Sequence, residues 1–342
     1  MNSMKQPVAL VLGANGGIGG ATAKALLAHG WQVRALVRDG AAAKAGWSDR
    51  RALPQWRVGD AMVRSDVIAA AEGADVILHA VNPPAYRGWS RLVLPMIENS
   101  IAAAAANGAR IVLPGTLYNY DPETQPLIAE DTPQNPRSKK GAIRVALERR
   151  LAEAASAGVP SLIVRAGDFF GPYGGSSWFG KAMVRKGHPV RRILNFGRRG
   201  VGHSWAYLPD LAETIARLLA RAEALDPFEQ VQFHGHWDAD GTRMTGAIAR
   251  AAGRADLPVW AFPWRLLSLA APFSETLREM REIQPFWRFP VRLDNRRLTA
   301  LIGDEPHTPL DEAVAETLLG LGCLRPYRSF PMSETLPDGS PT

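Results

Sequence analysis

A glycine-rich turn directly after a short apolar run constrains the fold of this chain more than any other feature. Residues 8–12 read Val-Ala-Leu-Val-Leu, glycines follow at positions 13, 16 and 19, and apolar residues then recur at helical spacing over 18–29. In a strand–turn–helix unit this spacing gives one glycine to the tight turn, one to the approach of a pyrophosphate and one to helix–strand packing. Residues 32–37 read as a second strand and complete a βαβ unit. With a purely structural glycine turn as the alternative, the pattern predicts a dinucleotide-binding turn formed by Gly13, Asn15, Gly16, Gly17, Ile18 and Gly19.

The same alternation continues through the first half of the chain. Strand-like runs occupy residues 55–58, 75–80, 110–114 and 161–165, with alanine-rich helical stretches between them at 65–72, 92–107 and 141–157. Strands that alternate with helices are typical of a parallel sheet with right-handed crossovers. The sequence thus predicts an α/β protein built on a doubly wound parallel sheet of the Rossmann type.

The composition changes after Arg165, where glycine, proline and aromatic residues become frequent. We expect residues 1–165 to form the dinucleotide-binding domain and residues 166–342 a smaller substrate lobe, partly interleaved because 231–234 reads as a further strand of the sheet. A helix is expected over 209–222. Thr308, Pro309 and Asp311 resemble the N-cap, first position and first-turn acid of a C-terminal helix that runs to Leu319.

The positive charge of the chain is concentrated in one segment. Of a formal net charge of +7, six charges come from Lys and Arg within residues 185–199, which contain no acid. A local basic segment favours a solvated or anion-binding loop over a nucleic-acid surface. The single cysteine, Cys323, and the lack of a signal-like or 20-residue apolar stretch lead us to expect a cytoplasmic protein with no membrane span and no metal cluster.

The end of the second predicted strand bears on the choice of cofactor. An NAD site expects an acidic residue there for the ribose hydroxyls, but this strand ends Ala-Leu-Val and is followed by Arg38. A guanidinium at this place, with Arg34 as a second candidate, suits the 2′-phosphate of NADP. We therefore expect NADP, with NAD as the alternative because the neighbouring Asp39 offers a carboxylate.

Several motifs together resemble the extended and atypical short-chain dehydrogenase/reductase superfamily, including its NAD-dependent epimerase/dehydratase-like members. They are the glycine turn, Gly59-Asp60, Ala80-Val81-Asn82, residues 165–172 (RAGDFFGP) and residues 205–212 (WAYLPDLA). The resemblance implies that Asp60 contacts the adenine and that Ala80, Val81 and Asn82 line the nicotinamide ribose. As an alternative, Asp60 caps a turn.

The resemblance is incomplete at the positions that carry catalysis. Thr116 matches the Ser or Thr that such enzymes place after the fifth strand, but residues 135–144 lack the tyrosine of their Tyr-x-x-x-Lys pair. Lys140 and Arg144 stand near those two positions, one helical turn apart, which resembles the NmrA-like and isoflavone-reductase-like branch. A lysine with a lowered pKa can act as an acid. The alternative is that both side chains are solvated and that Arg144 pairs with Glu148.

The resemblance implies two classes of function. The first is an NADP-dependent oxidoreductase or epimerase that acts on a small carbonyl-bearing or sugar-nucleotide substrate. If residues 185–199 bind the substrate, it is anionic. The substrate cleft is expected beside Phe169, Phe170, Tyr173, Trp178 and Phe179. In it Thr116 orients the reacting oxygen, and Lys140 or a water supplies the proton. The second is a non-catalytic, NmrA-like redox sensor, which the missing tyrosine favours. An assembly role through the apolar residues 259–273 and a homodimer are further alternatives.

Overall fold

The secondary structure follows the predicted alternation. The computed structural model describes residues 6–47, 49, 52–83, 88–173 and 177–324. Its strands, in chain order, are β1 (Val8–Leu12), β2 (Gln32–Val37), β3 (Gln55–Val58), β4 (Val76–His79), β5 (Arg110–Gly115), β6 (Leu127–Ile128), β7 (Ser161–Arg165), β8 (Asp168–Phe170), β9 (Ile193–Asn195), β10 (His203–Tyr207), β11 (Phe228–Gln232), β12 (His236–Asp238), β13 (Val259–Ala261) and β14 (Arg292–Leu293). Its α-helices are α1 (Gly17–Ala28), α2 (Gly40–Gly46), α3 (Arg64–Ala70), α4 (Trp89–Asn107), α5 (Lys139–Ser156), α6 (Leu208–Leu219), α7 (Arg243–Ala251), α8 (Trp264–Ala270), α9 (Glu275–Ile283), α10 (Pro285–Arg288), α11 (Arg296–Ile302) and α12 (Leu310–Gly320).

Seven strands form one parallel sheet in the order β11-β7-β5-β4-β1-β2-β3. The five residues of β1 are buried, since this strand pairs with β2 on one side and β4 on the other and is covered on both faces. Helices α1, α6 and α11 contribute to the core on one face, and α3, α4 and α5 to the core on the other. The doubly wound parallel sheet predicted from the sequence is confirmed. Its strand order changes direction between β1 and β4, where such sheets bind ligands at their carboxyl edge.

Several element boundaries differ from the predicted ones, among them those of β11, α5 and α12. The extra sheet strand, β11, lies three residues earlier than residue 231 and pairs with β7. Helix α5 begins at Lys139 because the Ser138 hydroxyl caps it and accepts a hydrogen bond from the Gly141 amide at 3.0 Å. The predicted cap at Thr308 is wrong. Its amide and hydroxyl both donate to the Asp210 carboxylate at 2.7 Å, and α12 begins at Leu310.

A second core lies in the lobe after Arg165. A three-stranded sheet of order β12-β10-β8 carries Phe170 and Trp205 into this core, which α7 and α12 help to enclose. The sheet also places Asp168, on β8, beside β10 near the carboxyl edge of the main sheet. Within the described ranges, no helix has both the length and the apolar content needed to span a bilayer.

Candidate cofactor site and active-site pocket

The turn between β1 and α1, residues Gly13–Gly19, is hereafter the glycine turn. Gly13 has a φ of +93°, and a Cβ at this residue would lie 2.5 Å from the Ala80 carbonyl oxygen. A Cβ at Gly19 would lie 2.2 Å from the Gly13 carbonyl oxygen. Both distances are far below van der Waals contact, so the turn packs against the end of β4 and against itself only where side chains are absent.

The glycine turn leaves the first turn of α1 open to an anion. Gly16 is the N-cap residue and provides no side-chain cap, while Asn15 and Gly16 are exposed. A helix N-terminus carries unsatisfied amides and a partial positive charge, which suit a phosphate. The uncapped amides of this helix, together with the lack of a side chain at the exposed Gly16, therefore fit the pyrophosphate of a dinucleotide.

The end of β2 presents Arg38 but not Arg34 to such a ligand. Arg38 is exposed directly after the strand. The Arg34 guanidinium donates to the carbonyl oxygens of Ala70 and Glu72 at the end of α3, so the expected second phosphate contact is wrong. Asp39 caps α2, because its Oδ1 accepts a hydrogen bond from the Ala42 amide at 3.0 Å. One oxygen of the carboxylate offered to NAD is thus engaged in this cap.

Asp60, expected at the adenine, closes a turn after β3. Its Oδ1 accepts from the Met62 amide at 2.9 Å, and its own amide donates to Asp66 Oδ2 at 2.9 Å. The turn-capping alternative is present in the structure. Contact with an adenine stays a prediction.

The end of β4 connects the nicotinamide-ribose candidates to Arg144. Ala80 lies against Gly13, and Val81 and Asn82 follow it. Arg144 Nη2 on α5 donates to Asn82 Oδ1 at 2.7 Å, and its guanidinium carbon lies 4.9 Å from the centre of the Trp89 ring. Arg144 is therefore held at the carboxyl edge of the sheet, where it orients Asn82.

Neither basic residue of the expected catalytic pair is solvated. Lys140 is 1% exposed and Arg144 is 7% exposed. A Cβ at Gly141 would lie 2.1 Å from the Tyr118 carbonyl oxygen, so the start of α5 packs tightly on the 3-10 turn Leu117–Asn119. The alternative of two solvated side chains is wrong because this packing buries the face of α5 that carries Lys140 and Arg144.

His79, the last residue of β4, is buried beside Arg144. Its Nδ1 lies 2.8 Å from the Ser100 hydroxyl. Burial, with a smaller contribution from the Arg144 guanidinium, lowers the pKa of His79 from 6.5 to about 3. The imidazole is therefore neutral at physiological pH, so it adds no charge next to Arg144.

The expected Arg144–Glu148 pair is replaced by a buried pair between Glu148 and Arg165. Two guanidinium nitrogens of Arg165 each donate to one Glu148 oxygen at 2.9 Å. Arg165 Nη1 also donates to the Thr116 carbonyl oxygen at 3.0 Å. Burial acts to lower the pKa of Arg165, but the Glu148 carboxylate outweighs it and the pKa is raised. The pair ties α5, β7 and the segment after β5 together.

Thr116 opens onto a pocket between the main sheet and the lobe, hereafter the Thr116 pocket. It is lined by Thr116, Leu117, Tyr118, Ala166, Gly167, Asp168, His203, Ser204, Phe286 and Val291. Thr116 itself is half-buried and caps the 3-10 turn, where its hydroxyl accepts from the Tyr118 amide at 3.4 Å. The Tyr118 and Phe286 rings, 5.3 Å apart, form an aromatic wall. Among these lining residues none is Lys or Arg.

The sequence analysis missed a side-chain pair inside this pocket. His203 Nε2 lies 2.9 Å from Asp168 Oδ2. The two residues are 35 positions apart, and β8 and β10 bring them together by pairing in parallel. Residue Asp168 belongs to the RAGDFFGP motif, and His203 stands two residues before the WAYLPDLA motif. The motifs flag the neighbourhood, but no spacing rule in the sequence joins the two side chains.

The aromatic cluster expected in the cleft lies elsewhere. Phe170 and Phe179 are fully buried in the lobe core, with Trp178 packed against that core. Phe169 packs on the core of the main sheet, and the Tyr173 ring lies under Lys24 Nζ at 3.3 Å. None of the five lines the Thr116 pocket. Phe169 and Phe170 point to opposite faces of β8, and Phe179 lies on the separate helical turn Phe179–Met183.

The basic segment is also outside the pocket. All six of its Lys and Arg residues are exposed, and one of them, Arg192, covers the Trp260 ring at 4.6 Å. The apolar stretch 259–273 forms β13, α8 and the start of the next turn, with Leu269 and Phe273 largely exposed. The solvated alternative for residues 185–199 agrees with this exposure.

Comparisons with known proteins agree with this architecture. The chain is 32% identical over 202 residues to a 3-diazoavenalumate denitrifying reductase from a Streptomyces species, a match that covers 54% of this chain and 61% of that protein. It thus spans less than two thirds of that relative. The crystal structure of UDP-glucuronic acid 4-epimerase from Bacillus cereus in complex with NAD superposes with a TM-score of 0.69 at 15% identity, over 92% of this chain and 96% of that one. The Bordetella bronchiseptica enzyme WbmH in complex with NAD+ gives 0.67 at 16% identity, over 92% and 98%.

These two structures share the fold at low sequence identity. The family model matches a longer part of the chain, residues 9–232, which holds the glycine turn, Thr116, α5 and both strands of the Asp168–His203 pair. The protein belongs to the NAD dependent epimerase/dehydratase family.

Proposed function

We propose that the protein is an NADP-dependent reductase of a small carbonyl compound bound in the Thr116 pocket. The observation that carries this proposal is the lining of that pocket. It lies at the carboxyl edge of the sheet and combines an aromatic wall with hydroxyl, imidazole and carboxylate groups, while its described lining contains no cation. Such a lining suits an uncharged carbonyl compound better than a diphosphate, since a buried anion needs a paired charge.

The glycine turn would hold the pyrophosphate of the cofactor on the amides of Gly17, Ile18 and Gly19. Arg38, exposed directly after β2, would pair with the 2′-phosphate. Ala80, Val81 and Asn82 would line the nicotinamide ribose, and Arg144 would hold the Asn82 amide in place. A reduced nicotinamide supplies a hydride when it is bound.

Thr116 would orient the substrate. Its oxygen accepts the Tyr118 amide, which leaves the hydroxyl hydrogen to donate to a substrate oxygen. Lys140, a proton donor expected from the sequence, does not line this pocket.

Two other functions remain as outcomes of the test. A sugar-nucleotide epimerase would need a diphosphate site, and the structural neighbour from Bacillus cereus is such an enzyme. The six exposed cations of residues 185–199 are outside the Thr116 pocket. Membership of an enzyme family and the reductase relative favour an enzyme over the sensor.

The test is a turnover assay with purified protein. NADPH oxidation would be followed by nicotinamide absorbance with a panel of aromatic and aliphatic aldehydes, and with UDP-glucose and UDP-glucuronic acid as competing substrates. We expect aldehyde-dependent oxidation, with kcat lowered at least ~10-fold in Thr116→Val by loss of one hydrogen-bond donor. Thr299→Val, which removes an exposed hydroxyl on α11, is the matched control and should turn over normally.

Conversion of a sugar nucleotide without reduction of any aldehyde would replace the reductase by an epimerase. Tight NADPH binding with no turnover across the panel would favour the sensor.

A further inference from the structure

The proposed reduction needs a proton at the substrate oxygen, and the helix that usually carries the acidic tyrosine has none in this chain. The titratable side chains that line the Thr116 pocket are Tyr118, Asp168 and His203. Of these, His203 and Asp168 form a hydrogen-bonded pair. The pocket thus contains the elements of an acid and the group that orients it.

The position of His203 is fixed from three sides. Trp205 on β10 is the parallel partner of Asp168 on β8. His203 lies two residues before Trp205 and therefore projects from the same face of β10. Its ring stacks on the Trp287 ring with centres 3.9 Å apart and an interplanar angle of 8°. The Trp205 ring lies 4.9 Å away at 63°. These contacts hold the imidazole in one orientation at the pocket wall.

Only one ring nitrogen of His203 is engaged by the protein. Nε2 faces the Asp168 carboxylate, and Nδ1 has no hydrogen-bond partner among the described residues. A carboxylate at Nε2 favours the tautomer that carries a hydrogen there. Nδ1 is therefore the ring nitrogen that remains available to a ligand.

We propose that His203 is the proton donor of the reduction and that Asp168 is its positioning residue, an inference that rests on the proposed reductase function. A bound reduced nicotinamide would supply the hydride for the carbonyl carbon, and the electron pair of the carbon–oxygen π bond would go to the oxygen. Nδ1 of the imidazolium gives its proton to that oxygen. The products are an alcohol, the oxidised dinucleotide and a neutral His203, which takes up a proton from water.

The first test needs no cofactor and no turnover. In protein labelled with ¹⁵N at the histidine rings, His203 is assigned by the signal lost in His203→Gln, and benzamide is added as an uncharged carbonyl probe. We expect hydrogen on Nε2 in the free protein, and a shift of the Nδ1 signal toward that of a protonated nitrogen when benzamide is added. Asp168→Asn should reduce the fraction with hydrogen on Nε2, a change that a purely structural role of Asp168 would not produce. An unmoved Nδ1 signal, or equal benzamide affinity in His203→Gln, overturns the proposal.

The second test is kinetic. With the best aldehyde of the panel, His203→Gln should lower kcat at least ~100-fold, the usual contribution of a general acid, while the Kd for NADPH stays unchanged. His188→Gln, an exposed histidine outside the pocket, is the matched control. A kcat within threefold of wild type in His203→Gln, together with a large loss in Tyr118→Phe, would assign the proton to Tyr118 instead.

The two tests separate the inference from the function on which it rests. If no aldehyde is reduced by the wild-type protein, the reductase proposal fails, whereas the labelled-histidine experiment still decides whether Nδ1 of His203 binds ligand in the Thr116 pocket.

Discussion

The glycine turn and the Thr116 pocket lie at the same edge of the sheet but are built from different parts of the chain. The glycine turn consists of consecutive residues, and what it offers a ligand is backbone: amides, space and the end of a helix. The Thr116 pocket consists mainly of side chains from the segment after β5, from β8 and β10, and from the segments around α10. A site made of backbone depends on the absence of side chains, whereas a site made of side chains depends on charges that pair across the fold.

The largest expected effect concerns the pairing that supports the Thr116 pocket. Glu148→Gln leaves the Arg165 guanidinium buried without its countercharge, which should lower the free energy of unfolding by about 3–5 kcal/mol in urea titrations. Replacing both partners, Glu148→Leu with Arg165→Met, should recover most of the loss, because no isolated charge remains. Arg250→Ala, which breaks an exposed pair with Asp311, is the control and should cost under about 1 kcal/mol. A single-variant loss as small as that of the control would contradict this account.

The next effect tests the glycine turn. In Gly19→Val, the Cβ would collide with the Gly13 carbonyl oxygen, so the glycine turn must open. Its amides would then no longer be placed to bind the phosphate. We expect NADPH affinity to fall at least ~100-fold in a fluorescence titration. Gly46→Ala, at a glycine with nothing within 4 Å of the added Cβ, should bind normally. Near-normal binding by Gly19→Val would show that backbone space does not limit this site.

The third prediction concerns His79, the last residue of β4, whose protonation links the stability of the protein to pH. The pKa of His79 is about 3 in the folded protein against 6.5 as its ordinary value, so the unfolded chain takes up the proton first as pH falls. The stability linked to His79 is therefore complete above about pH 6.5 and is lost toward pH 3, by about 2 kcal/mol between pH 7 and pH 5.

The measurement is the pH dependence of urea unfolding. His79→Asn should flatten it over this interval, whereas His188→Asn, at an exposed histidine, should leave it as in the wild type. If the pH dependence of unfolding in His79→Asn equals that of the wild type, His79 binds its proton as readily in the folded protein as in the unfolded chain.

The smallest expected effect separates the two cofactors. Arg38 is exposed, so its charge-assisted contact with a 2′-phosphate should contribute about tenfold in affinity. Arg38→Ala should weaken NADPH by that factor and leave NADH unchanged, and Arg217→Ala on α6 should affect neither. Equal weakening of both cofactors, or tighter binding of NADH by the wild type, would assign NAD instead.

The contrast between the two sites also explains which predictions succeeded. The strands β2, β3 and β7 have the predicted bounds, because local apolar runs with clear breakers decide them. The glycine spacing locates its turn for the same reason. By contrast, Arg34 and Glu148 each have a partner far away in sequence. Arg34 was a candidate for the cofactor phosphate, and the alternative for Glu148 was a local pair with Arg144.

The sequence by itself determined the sheet, the order of its units, the glycine turn and the neighbourhood of Thr116, since each depends on residues close together in the chain. The tertiary structure decided which charges are buried, that Glu148 belongs to Arg165, and that Asp168 meets His203 across two strands of the lobe. Partners of this kind are chosen by strand pairing and by the cost of leaving a buried charge unpaired, and a linear pattern records neither.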